Sequence, residues 1–410
     1  MPFQIALSGL NAASTDLEVT GNNIANSATN GFKQSRAEFA DVYATAVQDQ
    51  STTASGRGVR VARVAQQFQQ GTIDFTSNNL DLAISGEGFF VLEDTSGTRY
   101  YTRAGAYSVD RDGYVVNQKN QRLQVYPAST GVGGTTNFST GVLTDLELPV
   151  AASAPVATTS FGAALNLDSS ATAPTAAFDP TVPSSYNSST STTIYDSLGN
   201  AHTSTLYFRK TGDNAWDGYL YVDGTSVTQG GTAEFNLGFD GAGSLTTAMP
   251  IAMDAYLPGG GASAMNLNLD FTDTTQFGTS FSVNNLTQNG NTSGRLAGVD
   301  VDTEGVVFAR YTNGESSALG KVAMARFNNP QGLRQIGDTN WAETFASGTS
   351  QLGEAATSSF GQIQSGALES SNVDISEQLV KLITAQRNFQ ANAQVISTAD
   401  NVTQTIINIR

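Results

Sequence analysis

The residues whose types and spacing could do chemistry in this 410-residue chain are few. Gly86-Glu87-Gly88 supplies the first two glycines of a dinucleotide fingerprint, whose backbone amides would cradle a pyrophosphate at a helix start. Val91 stands where the third glycine belongs and no helical pattern follows, so a β-turn is expected. Asp110-Arg111-Asp112-Gly113 resembles half a calcium-binding loop, but its glycine comes too early and no glutamate closes the frame. Asp300, Asp302 and Glu304 before Gly305 read the same way, as a hairpin turn rather than a cation site. His202 is the only histidine, so no histidine pair or three-histidine metal centre can be built. Any nucleophilic triad would rest on that one residue, which falls in an expected hairpin. Arg57, Arg60 and Arg63 form a small basic group, which in a chain of net charge −16 reads as ion-pair partners between subunits. No catalytic, metal or cofactor-binding residue is therefore expected, and no enzyme.

The strongest pattern lies at the two ends. After Gly366 there is no glycine and after Pro330 no proline, so nothing interrupts a helix from residue 375 onward. Asp374 followed by Glu377 reads as a capping pair, and at ~1.5 Å per residue the helix would run roughly 50 Å. Ile375, Leu379, Leu382, Gln386, Phe389, Ala393 and Ile396 alternate steps of four and three, the spacing of a coiled-coil seam. Val395, Ala399, Val402, Ile406 and Ile409 form a second stripe. Phe3, Leu7, Leu10, Ser14, Leu17, Gly21 and Ile24 repeat the same spacing at the other end, with Ala6 and Ala13 beside them. Between Met1 and Phe32 the only charges are Asp16 and Glu18. Two amphipathic helices with so little charge should pair with each other and be ordered fully only when further copies cover their remaining faces.

Between the ends the composition favours strands and turns: rich in Gly, Ser, Thr and Asn, low in Lys and Glu. The expected fold is mainly β and multidomain, with the terminal helices as a coiled-coil-like pair and a discontinuous β core interrupted by an inserted β domain. Strands are expected at 60–64, 89–92, 100–102, 107–109, 114–116 and 123–126, with turns at Ser96-Gly97 and Asp112-Gly113. The core should be completed by strands at 299–310, 321–327 and 334–336. Residues 128–193 shift to Ala, Ser, Thr, Gly and Pro, marking a hinge into the insertion. Strands at 203–209 and 219–222, then 266–270 and 279–283, would carry the chain out and back. The boundaries drawn are 1–28 with 372–410 for the helices and 29–70 with 360–371 for a connector. The core is 71–150 with 286–359 and the insertion 151–285.

No cysteine is present, which removes disulfides and thiol chemistry. The acidic balance excludes nucleic acid as a partner, and no stretch is long and apolar enough to span a bilayer. The first basic residue is Lys33, so a cleaved secretory signal peptide is not expected.

One string is more specific than any of these: Gly21-Asn22-Asn23-Ile24-Ala25-Asn26, then Ser27-Ala28-Thr29-Asn30-Gly31-Phe32-Lys33. Its asparagines compete for backbone bonds and tolerate left-handed conformations, so they end the helix and shape the turn. The string, with Asn22, Asn23, Asn26, Gly31 and Phe32 as its signature, resembles the start of the bacterial flagellar axial proteins, the rod and hook subunits. Residues 71–76 and 80–91 are similar to the family's core β motif. Glu369-Ser370-Ser371-Asn372-Val373-Asp374, Gln386-Arg387 and Ala399-Asp400 are similar to its C-terminal signature. Residues 319–348 and the size of the insertion resemble the hook branch rather than the rod branch. The resemblance implies a subunit that polymerises with itself into a curved, flexible tube carrying torque from rod to filament. Its axial interface would comprise Phe3, Leu7, Leu10, Leu17, Ile24, Leu379, Leu382, Phe389, Ile396, Val402 and Ile406. The implied partners are the distal rod protein, hook cap scaffold, hook-filament junction protein, hook-length control protein and the flagellar type III export apparatus. The implied location is the extracellular hook of the basal body. The alternatives are a distal-rod subunit or, from another class, a secreted β-rich adhesin or glycan hydrolase, which would leave the two heptad ends unexplained.

Overall fold

Helix α1, Pro2–Ala25, and helix α2, Ile375–Asn408, bracket an otherwise β chain in the computed structural model, which describes residues 2–42, 56–130 and 136–408. Asp374 starts α2 as its sequence suggests, its Oδ1 accepting the amides of Ser376 at 2.8 Å and Glu377 at 3.1 Å. Glu377 does not reach back to close a capping box. It pairs at 2.7 Å with Lys381 one turn on, an ammonium being a stronger partner than a neutral amide.

The chain divides into two compact units. The first comprises Met1–Val150, Gly298–Ala309 and Ser317–Arg410, so it is discontinuous, as expected. Its main sheet runs, in hydrogen-bonded order, through Ser316–Arg326, Arg122–Thr130, Phe89–Glu93, Arg99–Thr102, Asn340–Ala342 and Arg334–Gly337. Inward residues of these strands, among them Phe89, Val91, Tyr101, Ala325 and Trp341, form one buried cluster with Phe327. Phe68 meets the Phe89 and Trp341 rings edge-on at 5.7 and 5.6 Å. Two short antiparallel pairings tie the early chain to the late chain: Leu82–Ser85 with Gln362–Ser365, and Ile73–Phe75 with Ala367–Glu369. The stretch 299–310, expected as one strand, is two. Gly305 at φ +81° turns the chain, and Asp302 Oδ1 closes the turn by accepting the amides of Glu304 and Val306.

The second unit comprises Ala151–Ala297 and Arg310–Ser316. One five-stranded sheet is built around Ser160–Asp168 and another around Ala201–Gly212 and Ala215–Val222, and a common core lies between them. Phe271 of the first sheet's side meets Phe208 and Phe235 of the second at 6.1 and 5.5 Å. The low-complexity stretch 128–193, read as a hinge, contains the central strand Ser160–Asp168. Phe161, Ala163, Leu165 and Leu167 alternate inward there, a period-two signal hidden by the surrounding Ser, Thr and Ala. Residues 131–135 of that stretch lie outside the described residues. The return strand Ser282–Gln288 pairs with Ser160–Asp168, so the boundary drawn at 285 falls inside a strand held by its ladder.

His202 sits in this unit between two carboxylates, Asp223 Oδ2 at 2.5 Å from Nδ1 and Asp196 Oδ2 at 3.3 Å from Nε2. Burial works against the charged imidazole, but the two carboxylates outweigh it and raise the His202 pKa above its usual 6.5. Burial likewise opposes ionisation of Asp196, yet bonds from Asn200, His202 and backbone amides pull it down to about 2. A raised histidine stabilises the fold fully below 6.5 and loses that contribution as pH climbs through its folded value. Unfolding of this unit should therefore become easier above that value in the parent and lose this dependence in His202→Ala. Because the chain has one histidine, imidazole NMR on the full chain reads the titration directly. A midpoint below 6.5 would refute the assignment.

Candidate axial interface and its junction with the β core

The terminal helices do pair: on α2 the seam keeps Leu382, Phe389 and Ile396 of the expected stripe, while on α1 it lies one residue before the stripe of large apolar residues. The α1 side of the seam follows Ala6, Gly9, Ala13, Asp16, Thr20 and Asn23, and the α2 side Gln378, Leu382, Ala385, Phe389, Asn392 and Ile396. On the α1 side small residues take the seam because they let the other helix approach. A Cβ on Gly9 would lie 2.5 Å from Asn392 Oδ1. Of the expected interface, Leu10, Leu17, Ile24, Leu382, Phe389 and Ile396 are half-buried, while Phe3, Leu7, Leu379 and Val402 are exposed. The side chain of Ile406, and Ile409 altogether, lie outside what the structure describes. Asp16 falls on the seam facing Lys381, and burial raises its carboxyl above the ordinary range although Lys381 opposes this.

The faces left over are polar with few charges, Glu18, Glu377, Lys381, Arg387 and Asp400, and part of their polarity is internally spent. Thr384, Thr398, Thr403 and Thr405 each donate to the carbonyl four residues back, at 2.8 to 2.9 Å. Such residues turn their hydroxyls toward their own helix and can be covered at little desolvation cost. Phe3, Ala391, Val395, Thr398, Ala399 and Val402 line an open, largely apolar groove.

Where the helices meet the β core, the junction is stitched by amides. Asn23 acts as a strand partner for Ser35, donating to its carbonyl and accepting its amide, both at 2.8 Å. It also donates to Gln378 Oε1 at 3.1 Å, while Gln378 donates to Gln34 Oε1 at 3.1 Å. Asn372 accepts the Gln34 amide and donates to the Gln67 carbonyl, both at 2.8 Å. Of the remaining signature residues, Asn22 offers its carbonyl to the Asn26 amide and side chain, which ends α1. Gly31 takes φ +69° where a Cβ would stand 2.5 Å from the Ala104 nitrogen, and Phe32 is buried. The Gly31 amide donates to the Glu369 carbonyl at 2.7 Å.

Beneath this lies a buried ionic cluster that no spacing in the sequence reveals. Lys33 Nζ is 2.5 Å from Glu369 Oε1 with both side chains fully buried, and Arg103 Nη1 is 3.2 Å from Glu369 Oε2. Lys33 donates also to the Gln69 carbonyl at 2.8 Å, and Glu369 Oε1 accepts the Gly71 amide at 2.9 Å. Arg103 Nη2 donates to the Gly86 carbonyl, while its Nε is buried without a partner. Burial pulls both cations below their usual pKa ranges, against the raising effect of Glu369. The three residues come from the turn after α1, the β core and the strand before α2, and they converge through the pairing of Ile73–Phe75 with Ala367–Glu369 and the Gly31 amide on the Glu369 carbonyl. Lys33 and Glu369 stand in the two terminal signature strings, yet nothing local marks either as buried.

Of the residues first weighed for chemistry, Asp110, Asp302, Gly86 and Gly88 shape turns and Arg63 makes a salt bridge. Asp110 Oδ1 accepts the amides of Asp112 at 2.9 Å and Tyr114 at 2.8 Å, and Gly86 and Gly88 take positive φ in a turn. Arg63, expected to reach another subunit, pairs within the chain with Glu38 at 2.7 Å. Their strands, Ser35–Asp41 and Val59–Gln66, are neighbours in one ribbon. Among the described residues no group of His, Asp and Glu could hold a metal ion, and no helix is long and apolar enough to cross a membrane.

Comparison with known proteins covers both the helices and the two units. Residues 3–33 match the family described as flagella basal body rod protein, and residues 364–409 the flagellar basal body rod FlgEFG protein C-terminal family. Residues 83–163 match the flagellar hook protein FlgE/F/G D1 domain, and residues 166–291 the flagellar basal body protein FlaE D2 domain. The chain is 41% identical to flagellar hook protein FlgE of Escherichia coli (strain K12), with 100% of both chains covered. It is 39% identical to that of Salmonella typhimurium, also with 100% of both covered, and 34% identical to that of Rhizobium meliloti, with 100% of this chain and 98% of the relative covered. The crystal structure of Helicobacter pylori flagellar hook protein FlgE2 shares the fold, with a TM-score of 0.55 at 16% identity over 72% of this chain and 100% of that one. From end to end, this chain belongs to the flagellar hook protein family.

Proposed function

We propose that the chain is the structural subunit of the bacterial flagellar hook, a homopolymeric tube that transmits motor torque from rod to filament during swimming. The observation that carries this reading is the low-charge helix pair, whose small-residue seam leaves Phe3, Leu7, Val395 and Val402 on its outside. Those side chains are the contacts that further copies would cover, so residues 1–28 with 372–410 form the axial core. A joint that bends as it turns needs tight axial packing inside and uncharged surfaces that can slide outside. The subunit leaves the cell through the flagellar type III export apparatus. It adds beneath the cap scaffold, between the distal rod protein and the hook-filament junction protein, until the length-control protein ends growth. The relatives compared above are named as hook proteins, so the distal-rod reading is not favoured, and an adhesin or glycan hydrolase has no use for paired terminal helices.

Electron microscopy of basal bodies from cells lacking this gene should show complete rods that end without hooks. Truncated rods would favour the distal-rod alternative, and hooks of normal length would overturn the proposal.

A further inference from the structure

Phe345 is fully exposed, yet it does not sit on a loose loop. It occupies the tip of a turn in which Thr344 Oγ1 donates to the Gly332 carbonyl at 2.6 Å and accepts the amides of Ala346 at 3.1 Å and Ser347 at 3.3 Å. Ser347, itself buried, accepts the Thr344 amide at 2.9 Å and donates to the Thr344 carbonyl at 2.8 Å. Asn329 holds the Ala346 carbonyl at 3.0 Å, and Gly332 packs so closely that a Cβ there would meet Ser347 N at 2.5 Å. The turn is fastened on both sides, so the backbone of Phe345 is held in one place. A large aromatic side chain on a fixed backbone has only two side-chain torsions to order on being covered, which suits an interface anchor.

The turn is pinned to the segment that leads into Arg334–Gly337, the last strand on the path of the main sheet. That strand pairs with Asn340–Ala342 on one side, and all its residues are exposed, including Ile336. Phe345, Ala346 and Ile336 are exposed residues without charge in a chain whose net charge is −16. Two copies of so acidic a chain repel, and places with few carboxylates, here Asp338 and Glu343 with Arg334 beside them in sequence, are where they can touch. A convex knob is not a small-molecule site, since such sites are concave.

We propose that Phe345 anchors a contact between the β core of one subunit and a second copy of the same chain, additional to the contact made by the terminal helices. The inference rests on the polymer reading above. In an open helical assembly each subunit meets the next through two different surfaces, so the ring enters a socket formed elsewhere on the neighbour.

The test uses the full-length chain. Phe345→Ser and Phe345→Trp are compared with the parent for thermal unfolding of the monomer and for the critical concentration of tube formation, by sedimentation and negative-stain microscopy. All three monomers should unfold alike, because the ring touches nothing in the single chain. Phe345→Ser should raise the critical concentration about tenfold or more, the effect of removing an interface hot spot, and Phe345→Trp should restore it. If the parent forms tubes and Phe345→Ser does so at the same concentration, this contact is refuted while the polymer reading stands. If the parent forms no tubes under any condition that supports a known hook protein, the polymer reading fails and this inference with it.

Discussion

Glu369→Gln should cost the β core about 3 to 5 kcal/mol, the range for removing one partner of a buried ionic group. The carboxylate is fully buried and serves two cations at once, Lys33 and Arg103, so its loss leaves two buried positive charges with no counter-charge. Lys33→Met should cost less, about 1 to 3 kcal/mol, because it leaves Arg103 and Glu369 as a balanced pair, and the Gln69 carbonyl keeps the Asn372 side-chain amide at 3.1 Å. The asymmetry separates an electrostatic role from mere packing, since glutamine is nearly the same shape as glutamate. The chain has two tryptophans, Trp216 in the inserted unit and Trp341 in the core. Urea unfolding followed by fluorescence in a Trp216→Phe background therefore reads the core alone. Equal losses for the two variants, or a loss under about 1 kcal/mol for Glu369→Gln, would mean that the cluster does not hold the junction together.

Leu7→Asp and Val402→Asp should abolish assembly while leaving the monomer's unfolding unchanged. Both side chains are exposed in the single chain, at 42% and 53%, so a carboxylate there is solvated until another subunit covers it. In the tube it would be buried without a partner, at several kcal/mol per subunit even after relaxation, and every subunit repeats that cost. Cells carrying either variant should lack hooks and be non-motile, with the protein exported at parental levels. Normal hooks from either variant would show that the outer faces of the helix pair are not the axial interface. A shifted unfolding transition would show instead that the single chain already uses these residues.

What the sequence determined by itself is what local spacing can encode. Uninterrupted four-three periodicity and the absence of glycine and proline defined α2, Asp374 placed its start, and Gly97 and Gly113 punctuated the hairpins of the core. The asparagine string ended α1 because amide side chains compete for the backbone wherever they occur. The tertiary structure decided which of two adjacent stripes became the seam. On α1 periodicity favours the bulky residues, but the seam runs over Ala6, Gly9 and Ala13, where a Cβ on Gly9 would meet Asn392, and that geometry exists only once the second helix is present. It also found a central strand in the Ala- and Ser-rich stretch, because a ladder with distant partners holds Ser160–Asp168 where composition suggested a hinge. The ionic cluster of Lys33, Arg103 and Glu369 is the extreme case. A buried charge is tolerable only where its partners converge, and partners drawn from both ends and the middle of the chain converge only after the sheet has closed.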